Sequence, residues 1–323
     1  MKQVLVIGGG VSGLVSGYVF NQYDGVEVKV IEAGSVGGDF LKGGLKYIHR
    51  TDEMIAMLSD LKLVYSGYGI RGGILLHGEV QPYPKILDEL PRDQVQRIRY
   101  DHYKKTRRQE PDDFADKSMN DPEGVASKRA IRCDFPAMVE GLASRVQVIR
   151  AQLARVNPDH IITGNGNKHP FDYLVLTIPL WIIRQVAYFP LPEAHAMSLN
   201  LVRVRSQDDP FARWDYVYTP YTPGDSIHRV SHNGEGLYTC ESNGIYDAIR
   251  SGSDLNFIFK AGYEPVGLVE GLNGHLLPLS ERPDYPKNIA ALGRFAKWDP
   301  RSTLDVVLDD ARACAESWGW RRR

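Results

Sequence analysis

A glycine-rich turn between a strand and a helix opens the chain, and it constrains the fold more than any other feature. A strand-like run at Val4–Ile7 enters Gly8-Gly9-Gly10-Val11-Ser12-Gly13, a helical pattern follows, and a second strand ends at Glu32. Glycines spaced as G-x-G-x-x-G allow a tight turn, close backbone approach to a pyrophosphate, and close packing of helix on strand. The helix N-terminus then faces the anion, and Glu32 can accept a hydrogen bond from a ribose hydroxyl. The pattern predicts dinucleotide binding, since a glycine-rich turn without a ligand would not explain the acid.

Composition describes an ordinary globular chain. Its 323 residues allow two domains, and 43% hydrophobic with 24% charged residues is typical of a soluble protein. A formal net charge of -1 does not by itself indicate a polyanionic partner. Cys133, Cys240 and Cys314 have no C-x-x-C spacing, which favours a reducing compartment and no metal site. With no leader or membrane-spanning run evident, we expect a cytoplasmic protein with no membrane contact.

Changes in pattern along the chain predict its domains. We expect an α/β fold with a discontinuous Rossmann-like domain at 1–50, 131–190 and 270–323. A charged, mostly helical insertion is expected at 51–130, and an antiparallel sheet domain, inserted into the first, at 191–269. The strands predicted for that sheet are Leu199–Arg205, Asp215–Thr219, Ser226–Ser231, Gly236–Glu241 and Leu255–Lys260.

Four blocks of sequence together resemble one superfamily. They are Val6–Leu14 with Glu32 and Ala33, the pair Gly37-Gly38, the strand Phe171–Pro179, and the turn Leu292–Trp298. The chain resembles the FAD flavoproteins that include amine oxidases, protoporphyrinogen oxidase and UDP-galactopyranose mutase. The resemblance implies FAD as cofactor, with an adenine-contacting segment near Ile149–Leu153 and the substrate between the sheet domain and the flavin ring. It implies cofactor contacts at Gly8, Gly10, Val11, Ser12, Gly13, Glu32, Ala33, Gly37, Gly38, Gly293 and Arg294.

Three side chains are candidates for catalysis at the flavin. Gly43–His49 resembles the mutase segment that lies against the isoalloxazine, so His49 would donate to flavin N5 or move a proton. A packing histidine is the alternative. Lys46 resembles the lysine near N5 of amine oxidases, although a solvated lysine is commoner. Arg229, in a segment that resembles a mutase strand, would hold a substrate carboxylate or phosphate, unless it forms a cross-strand pair with Glu241.

The most unusual local composition is the stretch Arg92–Arg108. Seven cations lie in 17 positions, interleaved with Tyr100, His102 and Tyr103. Such a pattern suits a phosphorylated substrate, a nucleotide moiety or a nucleic-acid strand. A solvated helix face, neutralised by the acidic residues of 110–123, is the alternative.

Three functions follow from these observations. The first is an FAD-dependent oxidoreductase that takes a hydride from a C–N bond of an amine or amino-acid-like substrate, either free or carried on a nucleotide or a modified nucleic-acid base. The second is a mutase-like isomerisation of a sugar nucleotide without net redox change. The third is a nucleic-acid-directed or non-enzymatic role through Arg92–Arg108. The sequence leaves the substrate and the oligomeric state open.

Overall fold

The computed structural model describes residues 1–42, 48–83, 85–106, 130–260, 262–277, 279–299 and 302–322. Its helices are α1 (Val11–Phe20), α2 (Asp52–Asp60), α3 (Ile86–Glu89), α4 (Arg92–Thr106), α5 (Phe135–Ala143), α6 (Leu180–Val186), α7 (Ala248–Ile258), α8 (Arg294–Lys297) and α9 (Leu304–Ser317). Its strands are β1 (Lys2–Ile7), β2 (Val26–Glu32), β3 (Ile48–His49), β4 (Tyr65–Tyr68), β5 (Gly72–Leu76), β6 (Glu79–Pro82), β7 (Ala130–Cys133), β8 (Gln147–Arg150), β9 (Leu153–Val156), β10 (His160–Thr163), β11 (Lys168–Pro170), β12 (Tyr173–Leu176), β13 (Ala196–Ser206), β14 (Tyr216–Tyr218), β15 (Ile227–His232), β16 (Leu237–Asn243), β17 (Tyr263–Leu276) and β18 (Ile289–Ala291). Together they form a mixed α/β protein with one parallel sheet and several antiparallel sheets.

The first strand lies at the centre of the parallel sheet, whose order is β18-β12-β1-β2-β8. Val4, Leu5, Val6 and Ile7 are all buried, as expected for a parallel strand covered on both faces. Helices α1, α5 and α9 pack on one face, and α6 with β9 and β10 packs on the other. Because parallel strands end at the same edge, the loops after β1, β2, β12 and β18 come together.

A second, seven-stranded sheet has the order β17-β13-β16-β15-β14-β5-β6. Its pairs are antiparallel except for β14 with β5. Helix α7 covers one face, where Leu255 and Ile258 join a core that includes Val202 and Tyr238. Two smaller antiparallel sheets, β3-β7-β4 and β11-β10-β9, complete the described strands.

Two parts of this sheet differ from the sequence-based expectation. The predicted strand Leu255–Lys260 is wrong, because most of it lies in α7. Asp247 caps that helix by accepting hydrogen bonds from the amides of Ile249 and Arg250, at 2.9 and 3.0 Å. In addition, the sheet extends beyond the expected limits 191–269. It includes β5 and β6, which agree with the strand-like runs Gly69–Leu76 and Glu79–Tyr83 of the sequence, and β17 continues beyond residue 269. The domain limits drawn from the sequence therefore remain predictions.

The described helices do not include a candidate membrane span. In the ranges given above, none combines the length and the apolar character that crossing a bilayer demands.

Candidate active site

The loop between β1 and α1 is closed by backbone and side-chain contacts. Gly8 has a φ of 107°, and its amide donates to the Ile31 carbonyl at 2.8 Å. A Cβ atom on Gly13 would lie 1.8 Å from the Gly8 carbonyl oxygen, so no larger residue fits there. The Thr177 hydroxyl, at the end of β12, donates to the Ile7 carbonyl at 2.8 Å. The loop is thus fixed against two strands of the sheet.

The N-terminus of α1 faces open space. Gly10 precedes the helix in extended geometry, and a Cβ atom on it would meet no heavy atom within 4 Å. Among the side chains that the structure describes, none caps α1, so the first amides of this helix can donate to an anion. Gly37 donates its amide to the Gly9 carbonyl at 2.8 Å, and a Cβ on Gly38 would lie 3.6 Å from the Gly10 Cα atom. The two glycine segments therefore lie together beside this open space.

Glu32 is held at the end of β2 by backbone amides. Its two carboxylate oxygens accept hydrogen bonds from Gly9 and Gly34, both at 2.5 Å. A Cβ atom on Gly9 would lie 2.9 Å from the Glu32 side chain, so the middle glycine of the triplet is what lets the carboxylate approach. Ala33 follows in an exposed position, and the Ala151 amide donates to the Glu32 carbonyl at 3.0 Å. The segment expected to contact adenine therefore runs beside Glu32.

The turn after β18 contacts the start of α1. Gly293 has a φ of 85°, and a Cβ atom on it would lie 2.7 Å from the Ser12 hydroxyl oxygen. The Leu292 amide donates to the Leu176 carbonyl at 3.0 Å, which joins this turn to β12. Arg294 begins α8 and is exposed. Ser12 and Gly293, far apart in sequence, thus meet where the first and last predicted blocks converge.

His49 pairs with an acid that the sequence did not single out. Its Nδ1 atom lies 3.3 Å from both carboxylate oxygens of Asp305, in the first turn of α9. The side chains are 15% and 12% exposed. Burial raises the pKa of Asp305, but hydrogen bonds from His49 and Thr303 outweigh it, so the pKa of this carboxyl lies below its usual range. Lys46, with the rest of 43–47, lies outside the described residues.

Arg229 lies in a cross-strand ion pair. Its Nε and one terminal nitrogen donate to Glu241 Oε1 at 3.0 and 2.7 Å, and that terminal nitrogen also reaches Oε2 at 2.8 Å. The Glu241 side chain is 3% exposed, against 29% for Arg229. His228 is also buried, with Nε2 3.7 Å from Glu241 Oε2. The pair is therefore an internal one, built on the register of β15 with β16.

A cavity lies between α6 and the edge of the seven-stranded sheet. It has a volume of about 430 Å³ and is lined by Trp181 and Arg184 of α6, by His195 and Met197 near the start of β13, and by Leu272 of β17. The Trp181 ring contacts those of Phe295 and Trp298, which follow Gly293. The cavity therefore adjoins the last glycine turn.

One further contact joins the sheets close to the glycine pair. Arg203 of β13 donates to the Lys42 carbonyl, at the end of the segment that follows Gly38. Lys42 also pairs with Asp39 at 2.6 Å, and both side chains of that pair are well exposed. The seven-stranded sheet thus reaches the region of the glycine loops.

Sequence reasoning missed several residues of this region. Gly9 and Thr177 stood inside quoted motifs but were not assigned a role, and only their contacts with Glu32 and Gly8 show one. No sequence motif indicated a role for Asp305, because its partner His49 lies 256 positions away. For metals, no group of three His, Cys, Asp or Glu side chains within the described ranges is arranged to hold an ion.

The fold is shared with flavoenzymes of known structure. Reduced UDP-galactopyranose mutase matches with a TM-score of 0.71 and 12% identity over 99% of this chain and 94% of the other. The PF1083 protein from Pyrococcus furiosus matches with a TM-score of 0.67 and 13% identity, over 98% of this chain and 97% of the other. Iminodiacetate oxidase from Chelativorans sp. BNC1 matches with a TM-score of 0.59 and 13% identity, over 99% of this chain and 96% of the other. No family model and no curated protein matches the sequence. The likeness shows a flavoprotein-like fold.

Proposed function

We propose that the protein is an FAD-dependent oxidoreductase that removes a hydride from the C–N bond of an amine or amino-acid-like substrate. One observation carries the proposal. The uncapped start of α1 faces open space at Gly10, while Glu32 is held by two amides at the end of β2. This arrangement offers donors for a diphosphate and an acceptor for a ribose hydroxyl within one Rossmann-like unit.

The chemistry of the described residues supports FAD as the cofactor. The amides that begin α1 would face the diphosphate, because the Gly10 position leaves room for close approach. The Glu32 oxygens retain lone pairs after accepting one amide each, so the carboxylate would still accept from the ribose. The chemistry that FAD supplies when bound is acceptance of a hydride equivalent. Gly37, Gly38 and Gly293 would border the rest of the cofactor.

His49 is the described side chain best suited to handle a proton. Asp305 accepts at Nδ1, which favours the ring form with its proton on that nitrogen. In a neutral ring so held, Nε2 carries the lone pair. The Asp305 carboxylate would therefore orient His49 and leave Nε2 facing away from it as the acceptor, as an acid does for a general-base histidine. Lys46 near flavin N5 remains a prediction.

A mutase-like reaction is the second candidate. It is favoured by the likeness of fold to UDP-galactopyranose mutase, the higher in TM-score of the two flavoenzymes compared. In such a reaction reduced flavin would act on a sugar nucleotide without net redox change. The oxidoreductase is preferred because iminodiacetate, the compound that names the oxidase, is itself an amine with C–N bonds.

Absorbance spectroscopy of the purified protein tests the proposal. The wild-type protein should take up FAD and release it on denaturation. Gly10→Ala should fold with a Tm within about 2 °C of wild type, because its Cβ meets nothing. It should nevertheless bind FAD at least about tenfold more weakly, because the methyl group occupies the space of the diphosphate. A wild-type protein that cannot be loaded with FAD contradicts the proposal.

The loaded protein then distinguishes the two reactions. Anaerobic addition of amines and amino acids should bleach the flavin if the oxidoreductase proposal is correct. Turnover of UDP-galactopyranose that appears only after dithionite reduction, with no bleaching by amines, supports the mutase instead.

A further inference from the structure

Two sets of charged side chains lie outside the glycine loops, and the first belongs to α4. In this helix, which contains most of the basic stretch, Lys104 and Arg97 pair with Asp101 at 3.0 and 3.9 Å. Lys105 is buried, and its Nζ atom donates to the Thr219 carbonyl at 2.6 Å. These three cations are engaged within the protein, so contact with nucleic acid through the stretch stays a prediction.

The second set lines the α6 cavity, the space of about 430 Å³ between α6 and the edge of the seven-stranded sheet. Arg184 lies in the last turn of α6, and Glu193 lies in the segment before β13. Their opposite charges cancel, and the described lining contains no other Lys, Arg, Asp or Glu. The volume lies within the range of small-molecule sites. The cavity therefore suits a ligand whose own charges also cancel.

Each of these two charged groups has a neighbour and keeps further hydrogen-bonding capacity. Arg184 Nε donates to the Leu191 carbonyl at 3.2 Å, which uses one of the five N–H donors of a guanidinium. Glu193 Oε1 lies 3.2 Å from His195 Nε2, which uses one of about four acceptor positions of a carboxylate. Arg184 can therefore bind a carboxylate through its terminal nitrogens, and Glu193 can accept from an ammonium.

The segment that carries Glu193 is held against the sheet. Ala194 is buried, and the Leu277 amide donates to the His195 carbonyl at 3.0 Å. The Leu277 carbonyl in turn accepts from Trp298 Nε1 at 2.7 Å. The charged rim of the cavity is thus joined through Leu277 to the end of α8.

Apolar side chains form another part of the cavity wall. Trp181, Met197 and Leu272 belong to this wall. The Trp181 ring packs edge-on against the Trp298 ring, with centroids 5.8 Å apart, which fixes the orientation of the indole. An apolar group of a ligand would therefore be removed from water against Trp181 and Met197.

We infer that the α6 cavity binds a zwitterionic aminocarboxylate with an apolar side chain. The ligand carboxylate binds Arg184, the ligand ammonium binds Glu193, and the apolar side chain packs on Trp181 and Met197. Binding follows from the cavity alone, whereas the role of such a ligand as the oxidised substrate rests on the proposed function. A dicarboxylate such as iminodiacetate is disfavoured, because its second carboxylate would meet Glu193.

Equilibrium dialysis of isotope-labelled leucine at pH 7 tests the inference. It uses the full chain, both without FAD and with FAD kept reduced by dithionite, so that no ligand can be oxidised. We expect saturable binding to one site. Leucinamide, which lacks the carboxylate, and 4-methylpentanoate, which lacks the amine, should each compete at least about fivefold more weakly. Iminodiacetate, and free glycine without an apolar side chain, should also compete at least about fivefold more weakly.

Substitutions assign the two charges. Arg184→Gln should weaken leucine binding by about fivefold to tenfold and remove the preference over leucinamide. Glu193→Gln should weaken it similarly and remove the preference over 4-methylpentanoate. The controls Arg205→Gln and Glu264→Gln make the same charge changes on exposed residues that pair at the far end of β13 and β17, and should leave binding within about twofold. Far-UV circular dichroism confirms that each variant folds.

Three results would overturn the inference. Absence of saturable leucine binding would mean that the cavity holds no zwitterion. Equal competition by leucine, leucinamide and 4-methylpentanoate would remove the role of both charges. Equal weakening by Arg184→Gln and Arg205→Gln would mean that net charge, and not the cavity, governs binding.

Flavin bleaching by oxidised, FAD-loaded protein separates this inference from the proposed function. Bleaching by amines, without the expected selectivity for leucine in dialysis, contradicts the zwitterion site alone. The expected selectivity, with no bleaching by any amine or amino acid, supports the zwitterion site and contradicts the oxidoreductase.

Discussion

The glycine loop of the parallel sheet and the buried charges of the seven-stranded sheet differ in what satisfies their polar groups. In the loop, the start of α1 has no side-chain cap and faces open space. In the second sheet, Glu241 is matched by Arg229, and the buried Lys105 ammonium donates to Thr219, Thr222 and Ile227. The start of α1 therefore leaves room for the ligand proposed above, whereas the charges of the second region are satisfied within the protein. An arginine in a central strand does not by itself indicate an anion site.

The largest combined effect on FAD binding and stability is expected at Gly13, because a larger residue there would distort the loop directly. A Cβ atom there would overlap the Gly8 carbonyl oxygen, at 1.8 Å. Gly13→Ala should lower the free energy of unfolding by about 2–4 kcal/mol and weaken FAD binding by more than about 100-fold. Urea unfolding and FAD titration measure the two effects.

Gly252→Ala is the control for Gly13→Ala. Gly252 lies inside α7, where a Cβ atom would meet nothing within 4 Å. Alanine there should raise stability by about 0.5–1 kcal/mol and leave FAD binding unchanged. If Gly13→Ala bound FAD like wild type, the loop would not be the binding element.

Of the effects on stability alone, the largest is expected from breaking the buried pair of the seven-stranded sheet. Arg229→Ala leaves the Glu241 carboxylate, 3% exposed, without its bidentate partner. The free energy of unfolding should fall by about 3–5 kcal/mol. Asp39→Ala breaks the exposed pair with Lys42 and should change the free energy of unfolding by less than about 0.5 kcal/mol. Equal small changes in both variants would mean that Arg229 is kept for a ligand and not for Glu241.

Local contacts explain why the loop was predictable from sequence. Gly8, Gly13 and Glu32 belong to one β-turn-α-β unit, and their spacing alone requires the turn, the close helix and the acid. The cap of α5 is equally local, because Asp134 accepts a hydrogen bond from the Ala137 amide, three positions further on, at 3.0 Å.

Contacts between distant segments explain what the sequence could not show. The pairing of His49 with Asp305 spans 256 positions. Joining β5 to β14 depends on Gly72, since a Cβ there would lie 2.5 Å from the Tyr216 hydroxyl. The alternation of apolar and polar residues predicted several strands of the seven-stranded sheet. The pattern of Leu255–Lys260 is equally compatible with the end of a buried helix, and the cap at Asp247 is what begins that helix.

Lys105 offers a smaller effect that depends on pH. Burial lowers its pKa to about 8, although Asp254 and Asp225 oppose the shift. Between pH 8 and the usual lysine value near 10.5, the unfolded chain binds more protons than the folded one. The free energy of unfolding should therefore rise with pH in this window, by about 2–3 kcal/mol.

Lys105→Met isolates this contribution from the other groups that titrate at high pH. Its free energy of unfolding, measured in urea from pH 7.5 to 10.5, should lack the rise assigned to Lys105. Parallel curves for the variant and wild type would show that the ammonium is not shielded from water as the structure indicates. Lys104→Met, at the neighbouring exposed lysine, should keep the wild-type slope.

The smallest effect is expected in α9, where two acids one turn apart should respond with opposite sign. The pKa of Asp305 lies below its usual range because hydrogen bonds from His49 and Thr303 outweigh burial, so its carboxylate stabilises the fold above about pH 4. This stabilisation is lost as pH falls through the folded pKa. Burial and Glu53 instead raise the pKa of Asp309, so its ionised form is disfavoured.

Asp305→Asn should lower the free energy of unfolding at pH 7 by about 1 kcal/mol and lose that difference near pH 3. Asp309→Asn should leave the free energy of unfolding at pH 7 unchanged or raise it. A loss of stability in both variants would mean that the start of α9 simply favours negative charge, and that Asp305 does not hold His49 in particular.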